Sequence, residues 1–172
     1  DEADEMLNMG FREDIDTILE SITSLHQTLL LSATISKDIE SLAHIYLKDP
    51  VIVRINKNEL TVPQIEQNYI LCQDKDKVEI ISRFIDLKAY NLVMVFCNTK
   101  KEVDEVSSKL LQRGFMVEAL HGDMKQMQRD RVMNRFRTGL INILVASDVA
   151  ARGLDIDDVD VVFNYDVPTD EE

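Results

Sequence analysis

Short apolar runs alternate with amphipathic stretches along the chain, the pattern of an α/β protein built on parallel sheet. Leu29 to Ser32 reads as a buried strand. Ser36 is placed to cap a helix carrying Ile39, Leu42, Ala43, Tyr46 and Leu47, and Val51 to Ile55 reads as the next strand. From Asn56 to Pro63 the period disappears. That stretch is polar and ends on Val62-Pro63, where the residue before proline is pushed away from helix, so a linker is expected at 59–64. Beyond it the alternation is cleaner. Ile65 to Cys72 and Leu92 to Cys97 predict strands around a helix holding Val78, Ile81, Ile85 and Leu87. Lys101 to Arg113 predicts a helix stopped by Gly114, followed by a strand at Met116 to Leu120. A helix at Lys125 to Arg137, closed by Gly139, and strands at Ile141 to Ala146 and Val159 to Tyr165 complete the series. Such an alternation suits one doubly wound sheet, whose ligands bind beyond the carboxyl ends of the strands. The polar residues after each strand are therefore the ones to interrogate.

Composition narrows the class. A chain of 172 residues can bury a real core, and 45% hydrophobic with 30% charged residues is globular rather than disordered or low-complexity. The longest apolar run, Leu92 to Cys97, falls far short of the ~20 residues of a membrane helix, and the chain opens on acids rather than on a basic, apolar secretory segment. A soluble, cytoplasmic protein with no membrane partner is expected. Cys72 and Cys97 stand in apolar runs and fit neither a disulfide framework nor a metal-ligand spacing. The net charge of −13 argues against a general polyanion binder, but it is unevenly spread. Lys100 to Arg137 holds nine bases and six acids, whereas Asp148 to Glu172 holds nine acids and only Arg152. The first of these stretches can still meet phosphate.

Six segments carry candidate chemistry. Asp1-Glu2-Ala3-Asp4 sets three carboxylates within four residues; at a strand end the first would hold magnesium beside nucleotide phosphates and the second would orient water, while the bland alternative is a solvated first turn of helix. Ser32-Ala33-Thr34 presents two hydroxyls that either relay a contact or merely make a turn. Asn98-Thr99-Lys100 and His121-Gly122-Asp123 follow strands and precede helices, where backbone N–H groups seat a phosphate or are simply capped. Gln126 and Arg129 share a helix face, suited to gripping a nucleic-acid backbone or to an ordinary charged surface. Ser147 to Asp155 runs a strand into a hydroxyl, then Arg152-Gly153, then an acid able to accept from sugar hydroxyls.

In this order the segments resemble the DEAD-box family of ATP-dependent RNA helicases, within helicase superfamily 2. Asp1 to Asp4 matches the name-giving motif, Ser32 to Thr34 the third, and Val95 to Lys100 the fourth. Gln126-x-x-Arg129 matches an RNA-contacting motif, and Ser147 to Asp155 the fifth. Each match is short, but five in register at expected strand ends or helix starts are specific. The general character is bacterial, similar to the cold-shock-associated members. The resemblance implies RecA-like parallel sheets flanked by helices, with ATP held between two such domains and RNA lying across both. It implies that Asp1 binds Mg2+, that Glu2 activates the attacking water, and that Asp4, Ser32 and Thr34 couple the nucleotide to RNA. Asp155, with Gly153 permitting close approach, would meet the ATP ribose. Asn98, Thr99, Gly122, Gln126, Arg129 and Ser147 would contact the RNA backbone with little base specificity. Ser147 replaces the threonine common at its position and keeps the hydroxyl.

No Gly-Lys-Thr or Gly-Lys-Ser phosphate loop occurs in the 172 residues, nor an arginine-finger motif of the form His-Arg-x-Gly-Arg. The expectation is an internal fragment: 1–58 the C-terminal part of a first RecA-like domain, 59–64 a linker, and 65–172 most of the second. It would belong to an ATP-dependent enzyme that unwinds RNA duplexes locally or remodels RNA–protein complexes, and would be inactive alone. The competing reading is a non-catalytic module that binds RNA or protein.

Overall fold

The computed structural model describes residues 1–54, 65–147, 150, 156 and 158–167. The chain divides into two compact units, Asp1–Asn58 and Glu59–Glu172. The expected linker at 59–64 lies outside the described residues, as do Gly153 and Asp155.

Among the described residues the first unit holds three helices, α1 (Ala3–Asn8), α2 (Arg12–Ser21) and α3 (Lys37–Tyr46). Ser36 caps α3 as its sequence predicts, its hydroxyl accepting from the Ile39 N–H at 3.3 Å, and Ile39 and Leu42 are buried. The Tyr46 hydroxyl donates to Asp16 at 2.8 Å and ties α3 to α2. The apolar pattern assigns nothing to residues 5–28, yet two helices form there; Phe11, Ile15, Ile18 and Ile22 recur at helical spacing between charged residues. Neither strand expected in this unit forms among the described residues. Leu29 is 75% exposed and Val51 90% exposed, and neither stretch belongs to a β-ladder. A strand is completed by a neighbouring backbone, which a local apolar run cannot supply. The Ala3 N–H donates to the Leu31 carbonyl at 3.1 Å, so one backbone bond does join the two polar segments.

The second unit contains α4 (Lys77–Lys88), β1 (Val93–Cys97), α5 (Lys100–Gln112), β2 (Val117–Leu120), α6 (Gln126–Arg137), β3 (Ile143–Ser147) and β4 (Val161–Asn164). The four strands form a parallel sheet in the order β2-β3-β1-β4, with Cys97 opposite Ser147, Leu120 opposite Ala146 and Phe96 opposite Asn164. Strand alternation splits the core in two. Val93, Val95, Cys97, Ile143 and Val145 face α4 and α5, whose Ile81, Ile85, Val103, Val106 and Leu110 cover them. Met94, Leu144 and Ala146 face the other way and pack with Val132, Met133 and Phe136 of α6. The expectation of an α/β sheet with helices on both faces is met, with corrections. Residues 65–72 form no strand, leaving Leu71 90% exposed, so the described sheet has four strands rather than five. Leu87 is 82% exposed and lies off the buried face of α4.

Candidate functional site

In the first unit the site is assembled around one carboxylate. Asp4 is buried on α1 and receives the Thr34 N–H and the Thr34 hydroxyl on the same oxygen, each at 2.8 Å, across thirty residues of chain. The Ser32 hydroxyl donates to the Thr34 carbonyl at 2.7 Å and stiffens the turn. Burial by itself would raise the Asp4 carboxyl; the Thr34 backbone and side-chain donors, with help from Ser32 and the Glu5 N–H, outweigh it and hold the group below the usual carboxylate range. Asp4, Ser32 and Thr34 are thus one hydrogen-bonded unit.

Asp1 and Glu2 precede α1 and are exposed, with the Glu2 N–H donating to Asp1 Oδ1 at 2.9 Å. Glu2 takes the left-handed region at φ +51°, an uncommon setting for a residue with a side chain. No cluster of three or more His, Cys, Asp or Glu side chains gathers among the described residues. This donor set suits a cation held by one or two carboxylates together with phosphate oxygens and water, as magnesium is.

In the second unit parallel pairing does the gathering. All four strands end at the same edge of the sheet, so Asn98 and Thr99 after β1, His121 and Gly122 after β2, Ser147 closing β3, and Tyr165 and Asp166 after β4 share one rim. Gln126 opens α6 from the same side. The space beside the Gly122 Cα is open, with no atom within 4 Å of where a Cβ would stand. A groove of about 360 Å3 lies along α6 from Gln126 to Arg137.

The two helix starts on this rim differ. At α5 the Thr99 hydroxyl accepts from the Glu102 N–H at 3.2 Å, and the Glu102 carboxylate takes both the Thr99 N–H at 3.0 Å and the Thr99 hydroxyl at 2.8 Å. This capping box puts a negative charge where an anion would bind. At α6 the cap residue is Lys125, whose N–H is taken by the Gln128 side chain at 3.0 Å, and the first turn holds no acid. With no acid in its first turn, the N-terminus of α6 is the better phosphate seat. Between them Lys100 pairs with Asp123 at 2.7 Å, a bond that holds the Asp123 carboxyl low, and His121 lies 3.3 Å from Asp104. Gln126 is exposed and donates to Asp130 at 2.7 Å. Arg129 is half-buried and donates to the Ala150 carbonyl at 2.9 Å. Asn98 donates to the Val167 carbonyl at 3.3 Å.

Further side chains on this scaffold escape the motif reading. Lys77 joins Asp166 at 2.8 Å and Asp74 at 3.0 Å beneath the Tyr165 ring, with the Asp166 bond the main cause of a raised Lys77 pKa. Its sequence signal is only an acid directly after a strand. Asp160 accepts the Asn91 and Leu92 N–H groups at 2.6 and 3.2 Å and joins the entry of β1 to that of β4.

Comparison with known proteins follows this geometry closely. Residues 76–172 match the helicase conserved C-terminal domain, and residues 1–42 match the DEAD/DEAH box helicase domain. The chain is 47% identical over its whole length to the DEAD-box ATP-dependent RNA helicase CshA of Geobacillus kaustophilus, and 45% identical to that of Bacillus subtilis. It spans only 37% and 35% of those relatives. Among solved structures it resembles Saccharomyces cerevisiae Dbp5 bound to RNA and ADP BeF3, with TM-score 0.83 and 31% identity over 99% of this chain and 44% of that one. It also resembles a DEAD box protein from Methanococcus jannaschii, with TM-score 0.57 and 38% identity over 97% of this chain and 45% of that one. No helix among the described residues is long and apolar enough to cross a membrane. A RecA-like parallel sheet, the motif series in order and full-length identity to these relatives together establish that the chain belongs to the DEAD-box helicase family.

Proposed function

We propose that this chain is the part of an ATP-dependent RNA helicase core that joins the magnesium-side carboxylates to the RNA-binding edge of the second domain, in a cytoplasmic enzyme that separates RNA strands locally or remodels RNA–protein complexes. Residues 1–58 are then the C-terminal part of the first RecA-like domain and 65–172 most of the second. The observation that carries the reading is the single rim of the parallel sheet, where Asn98, Thr99, Gly122, Gln126 and Ser147 stand together beside an α6 start free of acid.

On this reading the RNA backbone lies on that rim, with its phosphates toward the α6 N-terminus and its sugars toward Ser147 and Gly122, so affinity depends on salt more than on base sequence. Thr99 joins the contact if its capping box opens. Asp1 would hold magnesium through the nucleotide phosphates, and the ion would supply charge neutralisation in the manner common to phosphoryl-transfer enzymes. Glu2 orients and deprotonates the attacking water. Asp4, Ser32 and Thr34 carry the state of the nucleotide side into the rest of the first unit, and Asp155 accepts from the ribose with Gly153 allowing close approach.

RNA-stimulated ATP hydrolysis by the full-length protein carrying this chain tests the reading. Glu2→Gln should lower the rate at least 10²-fold, as expected for loss of a general base, while leaving ATP affinity near wild type. The 172-residue chain alone, without a phosphate loop in its sequence, should give no hydrolysis above buffer. Wild-type protein that hydrolyses no ATP with RNA present refutes the reading.

A further inference from the structure

We infer that Lys77 is a positioning residue for the proposed RNA contact Asn98: from the first turn of α4 it holds the segment leaving β4, and that segment in turn holds the Asn98 amide. The inference rests on the helicase reading above. A lysine opening a helix stands at the positive end of the helix dipole, so local helix chemistry gives no reason for it. Tertiary contacts do. Its ammonium lies 2.8 Å from Asp166, across eighty-nine residues of chain, 3.0 Å from Asp74 and 4.8 Å from the centre of the Tyr165 ring.

Asp166 needs this partner. Both side chains of the pair are only 20% exposed, and Asp166 Oδ2 is buried with no donor, so the carboxylate depends on the bond that Lys77 gives to Oδ1. A carboxylate so far out of water is costly unless it is paired. The residues on either side of Asp166 bond to the end of β1. The Tyr165 N–H donates to the Phe96 carbonyl at 2.8 Å, and Asn98 Nδ2 donates to the Val167 carbonyl at 3.3 Å. A carbonyl only accepts, so it fixes which end of the Asn98 amide faces it. Residues 165–167 are therefore pinned twice to β1 and once, through Lys77, to α4. Lys77 itself faces two acids and a ring, so it acts on RNA through Asn98 and not by its own charge.

The test uses the full-length protein carrying this chain, with K77M, D166A and N98A, each of the first two combined with N98A, and K75M as a charge control; Lys75 is exposed and outside the proposed site. Affinity for a single-stranded oligoribonucleotide is measured against salt, and amide exchange of a peptide covering 163–167 is measured without RNA. K77M and D166A should each weaken RNA binding roughly fivefold at unchanged salt slope. Both should speed exchange in that peptide, where K75M matches wild type. Neither should weaken RNA binding further in the N98A background, because their effect passes through that amide. The inference is overturned if K77M and N98A act additively on RNA affinity, or if K77M leaves that affinity intact. Loss of about one unit of salt slope in K77M overturns it as well, being the mark of a direct phosphate contact. If K77M alone unfolds by circular dichroism, through its stranded carboxylate, D166A makes the same comparison; if both unfold, the pair is a scaffold bond only and the inference falls. Wild-type protein that binds no RNA would instead refute the helicase reading, and the exchange measurement would still judge the hold of Lys77.

Discussion

Asp4 shows how a single side chain is committed by its surroundings. Its carboxylate is buried yet held ionised, because one oxygen collects two donors from Thr34. A carboxyl whose pKa is lower folded than unfolded contributes stability that is complete above the ordinary carboxylate value and is lost as pH falls through the folded value. Thr34→Ala removes the hydroxyl donor and should cost roughly 1.5–3 kcal/mol, the range for hydrogen bonds to charged groups. It should also shift acid unfolding of the first unit to higher pH, while Asp4→Asn should flatten that part of the pH profile. Chemical denaturation followed between pH 3 and 7 checks both; an unmoved acid limb in Thr34→Ala would remove the hydrogen-bond account. The motif letters suggest that Asp4 and Thr34 act together but give neither the shared oxygen nor the two bonds across thirty residues.

At the level of elements, the turns that end helices were largely legible. Gly114 and Gly139 follow α5 and α6 at φ +92° and +69°, a backbone region glycine enters without steric cost. Helix α4 ends instead on Ala89 at φ +50°. There a Cβ crowds the following carbonyl, so Ala89→Gly should stabilise the second unit by about 1 kcal/mol, read as a higher denaturant midpoint at unchanged slope. A destabilised variant would mean that the entropy of glycine in the unfolded chain outweighs the relief of strain. Capping was legible at α3 and α5 but not at α6, whose cap is Lys125. Ser36 and Thr99 are hydroxyl residues before amphipathic runs, and Glu102 three places after Thr99 completes the box. Strands were less so. Residues 93–97 and 143–147 pair with each other, whereas 65–72, apolar at five of its eight positions, pair with no described strand. Apolarity reports a tendency to be buried; pairing depends on which backbones lie alongside.

For the whole molecule, burial is lopsided. In the first unit only Ala3, Asp4, Ile39 and Leu42 are buried among the described residues, while the second unit packs both faces of a sheet. Local opening should therefore be easier in residues 1–54, and amide exchange there should be faster than in β1, β3 and α5. Equal protection in the two units, measured by hydrogen exchange on the 172-residue chain, would contradict this. The same lopsidedness divides what could be read from what could not. Strand-to-helix alternation, caps, glycine stops and the order of five short motifs are local properties of residue type and spacing, so the sequence by itself determined the fold class, the family and the candidate residues. Which of those residues stand together was decided by parallel pairing, because only the register of β1, β2, β3 and β4 places four strand ends on one rim. Likewise only packing turned Arg129 inward to Ala150, left Gln126 outside, and brought Thr34 onto Asp4. Each of these contacts joins atoms far apart along the chain, and their meeting depends on the path of the backbone between them rather than on the residues themselves.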